Sequence, residues 1–116
     1  MKAVLLISHG SHSKKTKREV ALLVKQLRRE SKIRIFVYAF LEIERPSIPD
    51  GIDLCVQKGA TEVVVLLNFL NAGKHVDQDI PRIIREAAQE YPGVHFRVTV
   101  PVGQHPKIKN LFLDLI

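Results

Sequence analysis

The sequence predicts a single α/β domain over residues 1–116, a three-layer α/β/α sandwich around a four-stranded parallel sheet of order 2-1-3-4. Three observations lead there. Four short apolar runs alternate strictly with four segments of helical period, the pattern of a parallel sheet covered on both faces by helices. The first run is continuously apolar, as a strand buried on both faces is. No repeat, low-complexity stretch or linker divides the chain, and 116 residues is the length of one domain.

The elements follow in order. Residues 3–7 read AVLLI and form the first strand. Val20, Leu23, Val24 and Leu27 recur at helical spacing, so residues 13–30 form an amphipathic helix. Residues 33–39 are β-branched and aromatic and give the second strand. Ile48, Ile52, Cys55 and Val56 mark a shorter helix that Gly59 caps. Residues 62–67 are the clearest central strand. Ile80, Ile83, Ile84, Ala87, Ala88 and Tyr91 mark a third helix, stopped by Pro92-Gly93. Residues 94–100 alternate, as on an edge strand, and Ile108, Leu111, Phe112 and Leu115 mark a last helix. Right-handed crossovers then give the order 2-1-3-4. The chain reverses direction between strands 1 and 3, and open α/β sheets bind ligands at the carboxyl ends of the strands at that point.

Composition excludes several functions. The lone Cys55 cannot build a disulfide framework, and no Cys/His set has zinc-finger spacing. No apolar run approaches the roughly 20 residues of a membrane helix. Met1-Lys2 leads directly into the first strand without a small-residue cleavage site, so the expected location is the cytoplasm. The overall charge of +6 is uneven: residues 1–34 hold ten basic and two acidic residues, net +8, and the remainder is net −2. Such a sector attracts anions. It contains no Phe, Tyr or Trp on which bases could stack, which argues against nucleic acid. A solvated Lys-rich helix face and a site for an acidic small substrate both remain open.

Two segments at the predicted switch point carry the chemistry. Ser8-His9-Gly10-Ser11-His12 follows strand 1, and Asn68 to His75 follows strand 3. The fold places His9 and His75 across one crevice. Imidazole is a common metal ligand and a base near neutral pH, so this pair could hold a divalent ion or divide metal and proton work. Gly10 and Gly73 stand where backbone can approach a ligand. His12, His95 and His105 read as polar surface, with His105 entering the last helix. Glu42, Glu44 and Arg45 follow strand 2 at the same end. A carboxylate there could take a proton or hold a cation, and Arg45 could fork onto a substrate carboxylate; a solvated loop in which Glu44 and Arg45 pair weakly is the alternative. Neither a dinucleotide fingerprint nor a Walker loop is present, and Ser11 is not in a nucleophile elbow. Cys55 lies on an apolar helix stripe and reads as core.

Together, strand–Ser8-His9-Gly10-Ser11, Ala39-Phe40-Leu41-Glu42 with Pro46-Ser47-Ile48-Pro49, and Phe69 to Val76 with Asp79-Ile80-Pro81 resemble the short CbiX-type class II chelatases. The resemblance runs from strand 1 to the Gly103-Gln104-His105-Pro106 segment. It implies ATP-independent insertion of a divalent metal into sirohydrochlorin, a polyanionic tetrapyrrole, in anaerobic cobalamin or related biosynthesis. Co2+ is the metal it implies first, with Fe2+ or Ni2+ as alternatives, and no permanent cofactor. It gives His9 metal binding and proton acceptance, His75 metal binding, and Glu42 an assisting catalytic role. Ser11, Arg45 and the loop Leu70, Asn71, Ala72, Gly73, Lys74 and His75 fall to the macrocycle. Relatives often carry an aromatic residue and an Arg where this chain has Asn71 and Lys74. Short members are homodimers whose two copies build one cleft, so a homodimer without membrane or nucleic-acid partners is expected. The main rival is a metal-carrier module that binds an ion at His9 and His75 without inserting it.

Overall fold

The computed structural model describes residues 1–116. Strand β1 spans Lys2–Ser8, helix α1 Lys14–Glu30, β2 Ile35–Phe40, α2 Ile48–Gln57 and β3 Glu62–Leu67. A π-helical turn at His75–Asp79 runs directly into α3, Ile80–Glu90; β4 spans His95–Pro101, a 3-10 turn Val102–Gln104, and α4 Ile108–Asp114. The four strands form one parallel sheet in the order β2-β1-β3-β4. The predicted strands and helices are all present, with the second and fourth strands shifted one or two residues toward the C-terminus.

The register fixes where the site can be. Ile7 lies opposite both Ala39 and Leu67, so the carboxyl ends of β1, β2 and β3 are level. The backbone continues this ladder past the strands: Leu41 N–H donates to the Ser8 carbonyl at 2.9 Å, Glu42 N–H to His9 at 3.1 Å, and Asn68 N–H to Ile7 at 2.8 Å. The three post-strand segments are thus tied together before any side chain acts. Ser8 is the one buried polar residue, and its hydroxyl accepts from Asn68 Nδ2 at 3.0 Å, as a buried hydroxyl must be satisfied.

Most of the core lies between the sheet and helices α2 and α3, where Leu5, Ile7, Ile48, Ile52, Val63, Val65 and Ile80 are sealed from solvent. The Ser47 hydroxyl caps α2 by accepting from Asp50 N–H at 3.2 Å. Tyr91, at the end of α3, donates its hydroxyl to Asp53 of α2 at 2.5 Å, and that bond raises the phenol to about 12. A smaller cluster joins Val20 and Val24 of α1 to Leu6 and Phe40.

Two expectations need correction. The opposite face is covered only in part: α1 lies over it, but α4, expected to complete the layer, makes its one substantial contact with the 3-10 turn. From Lys109 onward every residue is exposed. The apolar spacing predicted the helix correctly but could not say what it packs on. The segment expected to be loop up to Ile80 is also helical from His75. Pro81 has no N–H to donate into the preceding turn, and its ring crowds the carbonyl four residues earlier. The chain accommodates it with a wider turn, closed by Ile80 N–H donating to the His75 carbonyl.

Candidate metal centre

His9 leaves the buried end of β1 and is itself exposed, as is His75 at the start of the π-turn. Their ring centroids are 5.4 Å apart. Glu42, from the loop after β2, joins them: one ligand atom from each of His9, Glu42 and His75 falls within 4.8 Å of the others. Three strand ends of the sheet therefore contribute one donor each. Two imidazoles and one carboxylate on an open face suit a first-row divalent cation with free coordination positions.

The hydrogen bonds define the ring nitrogens. His9 Nδ1 lies 3.3 Å from the Gly10 carbonyl, and Nε2 lies 2.9 Å from Glu42 Oε1. Acceptors face both nitrogens. A neutral ring that donates from Nδ1 turns its Nε2 lone pair toward the carboxylate, an arrangement that a proton between them, or a cation ligated by both, satisfies. His75 Nδ1 is 2.7 Å from Asp79 Oδ2, one helical step along the π-turn. Donation there keeps the Nε2 lone pair free, the usual orientation of a metal-ligating histidine braced by a carboxylate. Asp79 is the residue that sequence reasoning missed. Its signal was the His75-x-x-x-Asp79 spacing just before Ile80-Pro81, legible only if the segment is read as helical.

Two glycines hold the frame. Gly10 has φ +106°, and a Cβ there would sit 1.9 Å from the Glu42 carbonyl oxygen. Only glycine lets the β1 loop approach the Glu42 backbone so closely. A Cβ at Gly103 would likewise lie 1.9 Å from the Leu70 carbonyl, and Gly103 N–H donates to Phe69 at 3.0 Å. The end of β4 thus pins the start of the Leu70–Lys74 loop. Ile43, a β-branched residue at φ +73°, adds local strain beside Glu42.

The remaining candidates divide. Leu70, Asn71, Ala72, Gly73 and Lys74 form an exposed loop leading to His75. Arg45 is largely in solvent and reaches Asp50 at 3.8 Å rather than the histidines. Glu44 does not pair with Arg45; its Oε1 accepts from Ser11 N–H at 2.8 Å, bracing one loop against the other. The Ser11 hydroxyl accepts from Ser13 N–H at 3.1 Å. His12 and His95 are exposed, and His105 accepts from Lys107 N–H at 3.0 Å at the entry to α4.

The basic sector resolves into two groups. Arg28, Lys32 and Arg34 lie around a cleft at the far end of α1. Lys14, Lys17 and Arg18 line an open cleft with Glu44, on the side of the candidate centre. The first turn of α1 holds no acidic residue, so Lys14 and Lys17 there oppose the helix dipole, an opposition that a bound anion would relieve.

A family model described as CbiX matches residues 3–116. The chain belongs to the CbiX family. Among similar proteins is the chloroplastic sirohydrochlorin ferrochelatase of Arabidopsis thaliana, 35% identical over 113 residues that cover 97% of this chain and 48% of that one. The sirohydrochlorin cobaltochelatase of Sulfolobus acidocaldarius is 28% identical over 114 residues, covering 98% of this chain and 89% of its own. A crystal structure of the sirohydrochlorin chelatase SirB from Bacillus subtilis subspecies spizizenii, in complex with cobalt, superposes with a TM-score of 0.87 at 30% identity, over 98% of this chain and 49% of that one. The chain thus spans about half the length of the Arabidopsis and Bacillus relatives and most of the Sulfolobus one. No helix is long and apolar enough to cross a membrane.

Proposed function

We propose that this CbiX protein inserts a divalent metal into sirohydrochlorin, with Co2+ as the first candidate and Fe2+ or Ni2+ as alternatives. The observation that carries the reading is the meeting of His9, Glu42 and His75 at the switch point, within 4.8 Å. The names of the relatives support the substrate; they divide between cobalt and iron, so the metal rests on chemistry common to both. Imidazole ligates Co2+, Ni2+ and Fe2+ alike.

The reaction exchanges two pyrrole N–H protons for one cation, so the site must deliver an ion and accept protons. His75, its Nδ1 held by Asp79, presents Nε2 to the cation. His9 Nε2 and Glu42 Oε1 lie 2.9 Å apart, close enough to ligate one cation side by side. Once the cation passes to the ring, each can take one of the two pyrrole protons, His9 at Nε2 and Glu42 at its carboxylate. Ser11, Arg45 and the Leu70–Lys74 loop, together with His75, contact the ring, and Lys14, Lys15, Lys17 and Arg18 draw in its carboxylates. The protein needs no permanent cofactor. The crevice around the histidines is open and a tetrapyrrole is a broad disc, so in this reading two copies share a cleft as a homodimer.

The test is to incubate protein, sirohydrochlorin and Co2+ without nucleotide and follow the absorption spectrum. Conversion to the metallated spectrum, faster than in a protein-free control, is expected. Co2+ binding with no acceleration of insertion would favour a carrier.

A further inference from the structure

Ile43 sits between two carboxylates that are both engaged. Glu42 Oε1 lies 2.9 Å from His9 Nε2, and Glu44 Oε1 accepts from Ser11 N–H at 2.8 Å. Glu44 N–H also donates to the Glu42 carbonyl at 2.8 Å, which closes a three-residue γ-turn with Ile43 at its apex. Such a turn requires a positive φ at the apex, and Ile43 has φ +73°. That region suits glycine or asparagine, whereas the Cβ of a branched residue crowds the carbonyl that follows it. The turn cannot open to relieve the crowding, because Gly10 packs against the Glu42 carbonyl and Glu42 N–H is bonded to the His9 carbonyl.

No burial offsets this conformation. Leu41, two residues earlier, packs against the larger apolar cluster, but Ile43 belongs to neither cluster and is 52% exposed. A side chain that is strained and also left in water adds no stability to the fold, and strain of this kind clusters where ligands are held. The other post-strand segment carries a matching side chain. Leu70, on the way to His75, is 61% exposed while its carbonyl is pinned by Gly103. Each of these two apolar side chains thus stands on an anchored segment that also supplies a donor of the metal centre, Glu42 in one case and His75 in the other.

We propose that Ile43 contacts the apolar face of the tetrapyrrole, held beside Glu42 so that the ring docks in register with the metal. The inference rests on the chelatase reading and adds to it a residue whose chemistry differs from that of the donors. A polyanionic tetrapyrrole carries its charge on carboxylates at the rim and leaves the face of the macrocycle apolar. Cations around the rim and an aliphatic side chain against the face complement both parts. Docking takes Ile43 out of water. Because the turn is already fixed at both ends, little ordering cost is left for the moment of binding.

The test uses the full chain and two variants: Ile43→Asn, whose side chain is polar and tolerates this φ, and Ile43→Leu, which stays apolar and lacks the β-branch. Titrating metal-free sirohydrochlorin and following its absorption reads ring binding apart from insertion. Calorimetry reads Co2+ binding, and urea unfolding reads stability. Ile43→Asn is expected to weaken ring binding about tenfold and to raise KM more than it lowers kcat, while Ile43→Leu retains most of the affinity. Co2+ affinity should be unchanged in both variants, and the urea midpoint unchanged or higher. Undiminished ring binding by Ile43→Asn overturns the proposal and leaves the chelatase reading intact, as does an equal loss in the two variants. A fall in Co2+ affinity or in the urea midpoint also overturns it, by assigning Ile43 to the support of Glu42. An unaltered protein that fails to bind the ring refutes the chelatase reading, and this proposal with it.

Discussion

Replacing Gly10 by alanine probes the frame of the centre without removing any candidate ligand. The new Cβ would lie 1.9 Å from the Glu42 carbonyl oxygen and 3.1 Å from its carbon. An ordinary carbon–oxygen contact is roughly 3.3 Å, so one loop must retreat by about 1.4 Å. The Glu42 carbonyl cannot yield freely, because it accepts from Glu44 N–H at 2.8 Å while Glu42 N–H donates to His9 at 3.1 Å. Alanine also resists φ +106°, adding about 1–2 kcal/mol to an overpacking cost of about 1–3 kcal/mol. Stability should fall by about 2–5 kcal/mol, a large part of a typical total of about 5–15 kcal/mol. A displacement of this size separates Glu42 from His9, and a misplacement of about 1 Å costs roughly 100-fold in rate. Urea unfolding and the initial rate of Co2+ insertion measure the two effects. Gly73→Ala is the control, since a Cβ there meets no atom within 4 Å, and it should leave stability and Co2+ affinity unchanged. A Gly10→Ala protein with an unchanged urea midpoint and wild-type insertion would refute the reasoning.

Asp79→Ala should weaken Co2+ binding about 10- to 100-fold through loss of the carboxylate that orients His75, with the circular dichroism spectrum preserved; Asp79→Asn, whose amide oxygen still accepts from Nδ1–H, should retain part of the affinity, and calorimetry reads both. The Cys55 thiol, pushed up from 9.0 to about 11 by burial, should react with a disulfide reagent only in denaturant. Because the unfolded thiol ionises first, its contribution to stability is complete below pH 9 and lost as pH rises through about 11; rapid labelling of the native protein at neutral pH would contradict this. Changing Lys14, Lys15, Lys17 and Arg18 to Gln should lower kcat/KM for sirohydrochlorin and flatten its decline with salt while leaving kcat nearly unchanged; a salt series on the unaltered protein that shows no decline would return these residues to plain solvated surface.

The parts of the molecule that were legible in the sequence are those set by local pattern. Apolar runs and helical stripes gave the sheet order, and the order placed His9 and His75 at adjoining strand ends. Glu42 was recognisable as charge at the same face, but its pairing with His9 depends on the Leu41 and Glu42 backbone bonds to β1. What the pattern missed is long-range. Glu44 reads as a solvated charge until the Ser11 N–H is seen beside it. Asp79 reads as loop until Pro81 forces the π-turn that carries it to His75. Gly103 looks like an ordinary turn residue until the Leu70 carbonyl is found where its Cβ would be. The periodicity of α4 was plain, but periodicity names an apolar face and not its partner.

The central claim is that His9 and His75 together carry metal insertion, and a rate measurement on their variants tests it most directly. His9→Ala and His75→Ala remove exposed side chains outside both apolar clusters, so each should fold as the unaltered protein does, with an unchanged far-ultraviolet spectrum. The account predicts that each loses nearly all Co2+ insertion into sirohydrochlorin and that the double variant is no slower than the worse of the two. Wild-type insertion rates in both folded single variants would contradict it.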